Sequence, residues 1–203
     1  MATCATCGQA NPEGFHFCGN CGASLETGPS GRREERKVLT VLYADVVGST
    51  ARADGVDPED VRAVLAPYHA RVRAELERFG GTVEKFIGDA VVALFGAPVV
   101  HEDDAERAVR AALVVQDAIA ELNDERPGLD LSVRVGIATG EALVALDADP
   151  LAGEGIAAGD VMNTGARLQA AAPVGGVLVG ETTYRATRHV ICLLYTSDAA
   201  DEL

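Results

Sequence analysis

The chain has 203 residues, 48% of them hydrophobic and 24% charged, with a formal net charge of -14. That length holds one domain of ordinary size plus an appendage, with apolar residues enough for a real core. So acidic a balance excludes nucleic acid and anionic membrane as main partners, because phosphate-rich surfaces would repel it. The longest apolar run, residues 90–100, falls well short of the roughly 18 residues a membrane span needs. No basic region followed by an apolar stretch opens the chain, so no signal peptide is expected and a cytoplasmic location follows.

Cys4, Cys7, Cys18 and Cys21 stand as CATCG and CGNCG, two Cys-x-x-Cys-Gly turns. Four thiolates at this spacing match the donor set of one structural, tetrahedral Zn2+. Two disulfides are the alternative, which a reducing compartment disfavours. Gly8 and Gly22 follow each pair and let backbone N–H groups turn toward the sulfurs. Phe15 and Phe17 are expected to form a miniature core, with His16 a loop residue between them. Residues 1–26 therefore read as a zinc ribbon whose stability comes from the metal, of order 10 kcal/mol. Its sequence holds Glu13 and Glu26 but no Lys or Arg, so it reads as a structural or protein-contacting element. Residues 27–37, TGPSG and a charged run, read as a solvated linker.

Residues 38–45 (VLTVLYAD) are β-branched and aromatic and end in a carboxylate: a buried strand. Asp57 caps a helix that Pro58 opens. Val61, Leu65, Tyr68, Val72, Leu76 and Phe79 follow at helical spacing, and Pro67 is expected to kink it. After Gly80-Gly81, residues 84–96 (EKFIGDAVVALFG) form a hairpin around the Gly88-Asp89 turn. A second helix starts near Glu102-Asp103-Asp104 and is expected to carry Ala105, Ala108, Val109, Ala112, Val115 or Gln116, Ile119 and Leu122 inward. Residues 131–138 alternate as a strand, and residues 142–146 are expected to fold back as its hairpin partner. Asp160 is expected to cap a helix that runs through Ala171, residues 176–179 to form a strand, and residues 181–187 a short helix.

Strand, helix, hairpin, helix, strand is the ferredoxin-like βαββαβ plan, an α+β domain with helices on one face of an antiparallel sheet. The other face is expected to lie open, which suggests a partner. In this plan Asp45 and Asp89 meet at one edge of the sheet. Two carboxylates held together repel unless a cation lies between them. Oxygen donors with open positions suit Mg2+ or Mn2+. Gly48, Ser49 and Thr50 add N–H groups and hydroxyls suited to phosphates. That set points to phosphoryl or nucleotidyl transfer.

The strings YADVVGST (43–50), EKFIGDAVVALFG (84–96), VRVGIATGE (133–141) and GDVMNTGARLQ (159–169) resemble the class III adenylate/guanylate cyclase catalytic domain, over roughly residues 35–189. The resemblance implies that Asp45 and Asp89, with the Val46 carbonyl, hold two Mg2+ or Mn2+ ions per active site. It implies that Lys85 reads the purine, and that Asn163 and Arg167 reach the ribose and the transition state from the partner of a homodimer. The substrate implied is ATP or GTP, yielding cyclic nucleotide and pyrophosphate. The second purine-reading position falls on Ile156, an isoleucine that cannot hydrogen-bond a base edge. That departure leaves the base preference open and makes a weakly catalytic nucleotide-binding module the alternative reading. Arg134 is open between a dimer-interface ion pair and a triphosphate contact, and His69, His101 and His189 read as surface or helix-end residues. A zinc ribbon in front resembles bacterial arrangements in which an ATPase-type region follows. Residues 38–190 are thus expected to form a cyclase domain shortened at its C-terminus, with residues 191–203 a foreign or disordered tail.

Overall fold

The computed structural model describes residues 2–4, 6–12, 15, 17–22, 34–47, 58–126, 129–145 and 156–193, with backbone alone for residues 2 and 58–64. Gly48, Ser49, Thr50, His16, Asp57 and residues 194–203 lie outside that set. The chain divides into two units, Met1–Arg33 and Glu34–Leu203.

In the first unit, β1 (Ala2–Thr3) pairs antiparallel with β2 (Ala10–Asn11). Gly8 and Gly22 both take positive φ, which only glycine adopts without strain. Each donates its N–H to the carbonyl of a cysteine, Cys4 or Cys18, closing the turn that holds the pair. The interior is not aromatic. Phe15 and Phe17 are exposed, while Cys4, Cys18 and Asn11 are buried. A module this small has no apolar core to enclose rings, and its centre is sulfur.

The second unit is built on β3 (Glu34–Val46), α1 (Pro58–Arg78), β4 (Thr82–Ile87), β5 (Ala90–Phe95), α2 (Asp104–Glu125) and β6 (Val133–Ala145). After these come β7 (Ala157–Ala158), α3 (Asp160–Ala171), β8 (Val177–Val179) and α4 (Glu181–Thr187). The sheet order is β4-β5-β3-β6-β7, with β8 parallel to β6 along the same edge as β7. β3 lies antiparallel to both β5 and β6. This is the ferredoxin-like order expected for the first six elements, with the first strand at the centre.

Two local differences have physical reasons. The charged run begins the sheet rather than a linker, because Glu34 to Lys37 pair with Ala145 to Ala142. β6 is one strand of 13 residues, not a strand and its hairpin partner. Gly140, which reads as a turn residue, sits mid-strand because a Cβ there would press within 3.3 Å of Val161 on α3. α1 runs unbroken through Pro67.

The largest difference concerns the second sheet face. Leu42, Ala44 and Val46 of β3 turn toward α1 and α2, where Tyr68, Val72, Leu76, Val115 and Ile119 close one core. Leu39 and Val41 turn the other way, and that face is not open. α3 covers it with Val161 and Leu168, over Val92, Leu94 and Ala138. The amphipathic pattern of α3 is visible in the sequence, but the face it covers depends on β6 continuing to Ala145 and on β7.

Candidate active site and metal centre

β3 delivers Asp45 at its end, on the face turned toward α3. Gly88, at φ 64, opens the two-residue β4–β5 turn that carries Asp89. The register Ala44↔Val91 continues to put Asp45 beside Ala90, one residue from Asp89. Burial, then the charge and closeness of the Asp89 carboxyl, push Asp45 up to about 6. Gln169 Nε2 of α3 opposes this by donating to Asp45 Oδ2 at 3.4 Å. Asp89 Oδ2 is enclosed and has no hydrogen-bond partner among the described residues. The Tyr68 hydroxyl is likewise unpartnered, and burial, then Asp89 and Asp45, hold that phenol far above its ordinary value.

An acid raised by burial and by its neighbour's charge, beside an enclosed oxygen left over on that neighbour, fits a divalent cation chemically. A carboxyl raised in the folded state costs stability as pH rises toward 6, a cost a bound cation relieves. Cation binding needs both groups ionised, so protons compete. Mn2+ affinity measured calorimetrically should therefore fall several-fold between about pH 7.5 and about pH 5.5. An affinity unchanged across that interval would remove Asp45 as a ligand.

The other expected residues fall in two groups. Val46 is buried at the end of β3, and Ile156 is buried ahead of β7. Lys85 is exposed and stands opposite Val92, on the α3 face. Asn163 and Arg167 lie on the exposed side of α3, since Val161, Gly165 and Leu168 face the sheet. Arg167 Nη2 donates to Thr164 Oγ1 at 3.3 Å. Among the described residues neither side chain bonds Asp45 or Asp89, so one chain does not bring the arginine to its own acids. Arg134 stands opposite Asp45 across β3 and β6, with an enclosed Nε that has no partner among the described residues.

His101 is a helix-end residue, bound to Asp104 at 3.2 Å. His69 is not a surface residue. It lies half-buried, with ring centroids 4.5 Å from Phe86 and 5.3 Å from Tyr68. Burial lowers the imidazole, against the Gly88 backbone and Asp89. Gln169, Tyr68, His69 and Glu84 are the site neighbours that sequence reasoning passes over. Gln169 was findable, six residues after Asn163 on the inward side of the same helix.

In the small unit the four Sγ atoms lie within 4.8 Å of one another. Cys4 and Cys21 are 3.7 Å apart and Cys7 and Cys18 3.6 Å. A tetrahedron with Zn–S bonds of ~2.3 Å has edges of ~3.8 Å, whereas a disulfide needs ~2.05 Å. All four are free thiols. Backbone N–H groups of Cys21 and Asn20 pull Cys18 down to about 6, and those of Cys7 and Thr6 lower Cys4. Four sulfurs this close, with Cys4 and Cys18 already disposed to ionise, could hold zinc.

The second unit is thus an α+β domain of ferredoxin-like order with a paired-carboxylate centre at the end of its central strand. The chain belongs to the adenylate and guanylate cyclase family: the model of the adenylate and guanylate cyclase catalytic domain matches residues 32–201. Adenylate cyclase 1 of Rhizobium meliloti is 32% identical over 142 residues, covering 68% of this chain and 21% of that protein. The crystal structure of the guanylyl cyclase Cya2 superposes with a TM-score of 0.68 at 32% identity, covering 75% of this chain and 79% of that one. The adenylyl cyclase CyaB from P. aeruginosa gives 0.68 at 26% identity, covering 78% and 84%. The chain spans between 15% and 32% of the length of the first curated relatives it matches. Among the described residues no helix is long and apolar enough to cross a membrane.

Proposed function

We propose that the chain is a metal-dependent purine nucleotide cyclase that converts ATP to 3′,5′-cyclic AMP and pyrophosphate at a homodimer interface in intracellular signalling. The observation that carries this reading is the Asp45–Asp89 pair: burial and the Asp89 charge raise Asp45, and Asp89 Oδ2 has no partner among the described residues, a pairing that suits divalent cations. Asp45, Asp89 and the Val46 carbonyl would hold two Mg2+ or Mn2+ ions. Such ions, when bound, activate the ribose 3′-hydroxyl and neutralise the triphosphate. Asn163 orients the ribose, and the Arg167 guanidinium meets charge developing on the α-phosphate. Both stand four residues apart on the exposed side of α3, ready for a second copy. Lys85 donates to the purine, and Gly48, Ser49 and Thr50 cradle phosphates. ATP is favoured over GTP because a lysine stands at that position. A weakly catalytic, nucleotide-binding regulatory reading is favoured by one observation, the apolar Ile156 at the second base position.

Purified chain incubated with Mn2+ and either ATP or GTP should release cyclic nucleotide, resolved by mass spectrometry, and Asp45→Ala should not. Equal traces from the two proteins would reject the enzyme reading and leave the binding module. For the small unit we propose one structural Zn2+ on Cys4, Cys7, Cys18 and Cys21. Metal analysis should return about one zinc per chain, lost in Cys18→Ser. A parent protein free of zinc would remove that assignment.

A further inference from the structure

Glu84 carries a charge that the cyclase reading does not use. β4 slips register against β5 between Val83 and Lys85, pairing Val83 with Ala93 and Lys85 with Val92. Glu84 is the extra residue of that bulge, and bulges re-aim side chains. Without it, Glu84 and Lys85 would face opposite sides of the sheet. With it, Glu84 reaches the segment ahead of α3, on the face where Lys85 also stands. The carboxylate is 2% exposed. Its Oε1 accepts the N–H of Ile156 at 2.7 Å and of Ala157 at 3.3 Å. Its Oε2 is enclosed and unpartnered among the described residues. Burial, then the same carboxylate, raise the Tyr43 phenol, so the charge is felt on the neighbouring side chain too.

Holding two N–H groups takes one oxygen, and a glutamine would do it without burying a charge. An enclosed acceptor with no donor is costly and uncommon in a folded protein. The second oxygen is accounted for if a ligand brings the donor. Ile156, whose N–H the carboxylate holds, has an apolar side chain buried in the second core cluster and offers no side-chain hydrogen bond.

We propose that Glu84 is a specificity-determining residue whose Oε2 accepts a hydrogen bond from the 6-amino group of adenine, beside the ring nitrogen that Lys85 addresses. This rests on the cyclase reading and names its substrate. The acid that Ile156 lacks is supplied from the β4 bulge. One oxygen next to one ammonium matches adenine, which shows one amine beside one ring acceptor. Guanine offers two adjacent N–H donors and would want both carboxylate oxygens, of which Oε1 is already taken by the backbone. Shielding from water sharpens the choice, because a base without the amine leaves the oxygen unpaired.

The test is equilibrium displacement of a fluorescent ATP analogue from the whole chain in Mn2+, by ATP and by purine riboside 5′-triphosphate, which lacks only the 6-amino group. The unsubstituted protein should prefer ATP roughly ten- to hundred-fold, the effect of one hydrogen bond to a charged group. Glu84→Gln keeps an oxygen for Ile156 and Ala157 but turns an N–H2 toward the amine, so the preference should fall to about one-fold. A preference unchanged in Glu84→Gln makes the residue a clamp for the 156–157 segment only and overturns the proposal. Equal binding of both nucleotides by the unsubstituted chain overturns it while the cyclase reading stands. Binding of neither removes the cyclase reading itself. Should Glu84→Gln lose its cooperative melt, Glu84→Asp, which keeps the charge but withdraws it by one methylene, carries the same comparison.

Discussion

Mixing an Asp45→Ala chain with an Arg167→Ala chain should restore cyclase activity that neither possesses alone. The expectation comes from where α3 puts its residues. Leu168 and Val161 fasten the helix to the sheet, so Asn163 and Arg167 are left outside, bonded to nothing nearer the acids than Thr164. A guanidinium that stabilises developing phosphate charge lowers turnover about 10²- to 10³-fold when removed. Deleting it from the exposed side of a helix should change stability by less than about 0.5 kcal/mol. Removing Asp45 should abolish cation binding and relieve a repulsion, so that chain should fold as well. In an equimolar mixture about half the dimers are mixed, and a two-fold axis gives each of them one site with both defects and one with neither. Recovery of about a quarter of the parent activity is the expected result. Activity that stays at the level of the single variants would mean that each chain completes its own site.

Much of the site is legible because its parts follow short-range rules. Gly88 stands at the first position of a two-residue turn, where a positive φ is required, and that alone aims Asp89 at the end of β3. The pattern of β3 places Asp45 on a known face, and helical spacing puts Asn163 and Arg167 on one side of α3. The four cysteine sulfurs lie within 4.8 Å of one another, and a Gly-closed turn holds each pair in place. What could not be read depends on contacts between distant segments. Gly140 looks like a turn until a helix arrives above it. The open second face was inferred from six elements, whereas a seventh, the short β7, turns the chain so that α3 can lie across it. The bulge at Glu84 leaves no trace in the alternation of apolar and polar residues, because it inserts one position and resumes. His69 and Tyr68 look like ordinary helix residues, and only packing against the Gly88-Asp89 turn gives them polar neighbours.

Gly136→Ala should be among the most destabilising single substitutions in the domain, by about 3 kcal/mol or more. A Cβ at Gly136 would stand 2.1 Å from Gln169 N, 2.5 Å from Gly165 O and 2.7 Å from Gln169 Cα. All three are backbone atoms of α3, so no side chain can swing aside and the helix itself must lift. Lifting it uncovers Val161 and Leu168 and draws Gln169 from Asp45, so stability and site geometry fail together. For a domain of this size the midpoint of thermal unfolding should drop by about 10 °C. Gly165, on the helix opposite, behaves differently. Its Cβ would meet Val41 Cγ1 at 2.8 Å and Tyr43 Cδ2 at 2.9 Å, side-chain rather than backbone atoms, so the buried valine and the tyrosine must shift while the helix keeps its place, and alanine regains about 1 kcal/mol of helix propensity against that cost. Gly175→Ala is the control, because at φ 72 with nothing within 4 Å it carries only the left-handed backbone cost of about 1–2 kcal/mol. The order of melting points should therefore place Gly136→Ala well below the other two. If it melted within about two degrees of the parent, α3 would not rest backbone to backbone on β6, and the hold of Gln169 on Asp45 would go with it.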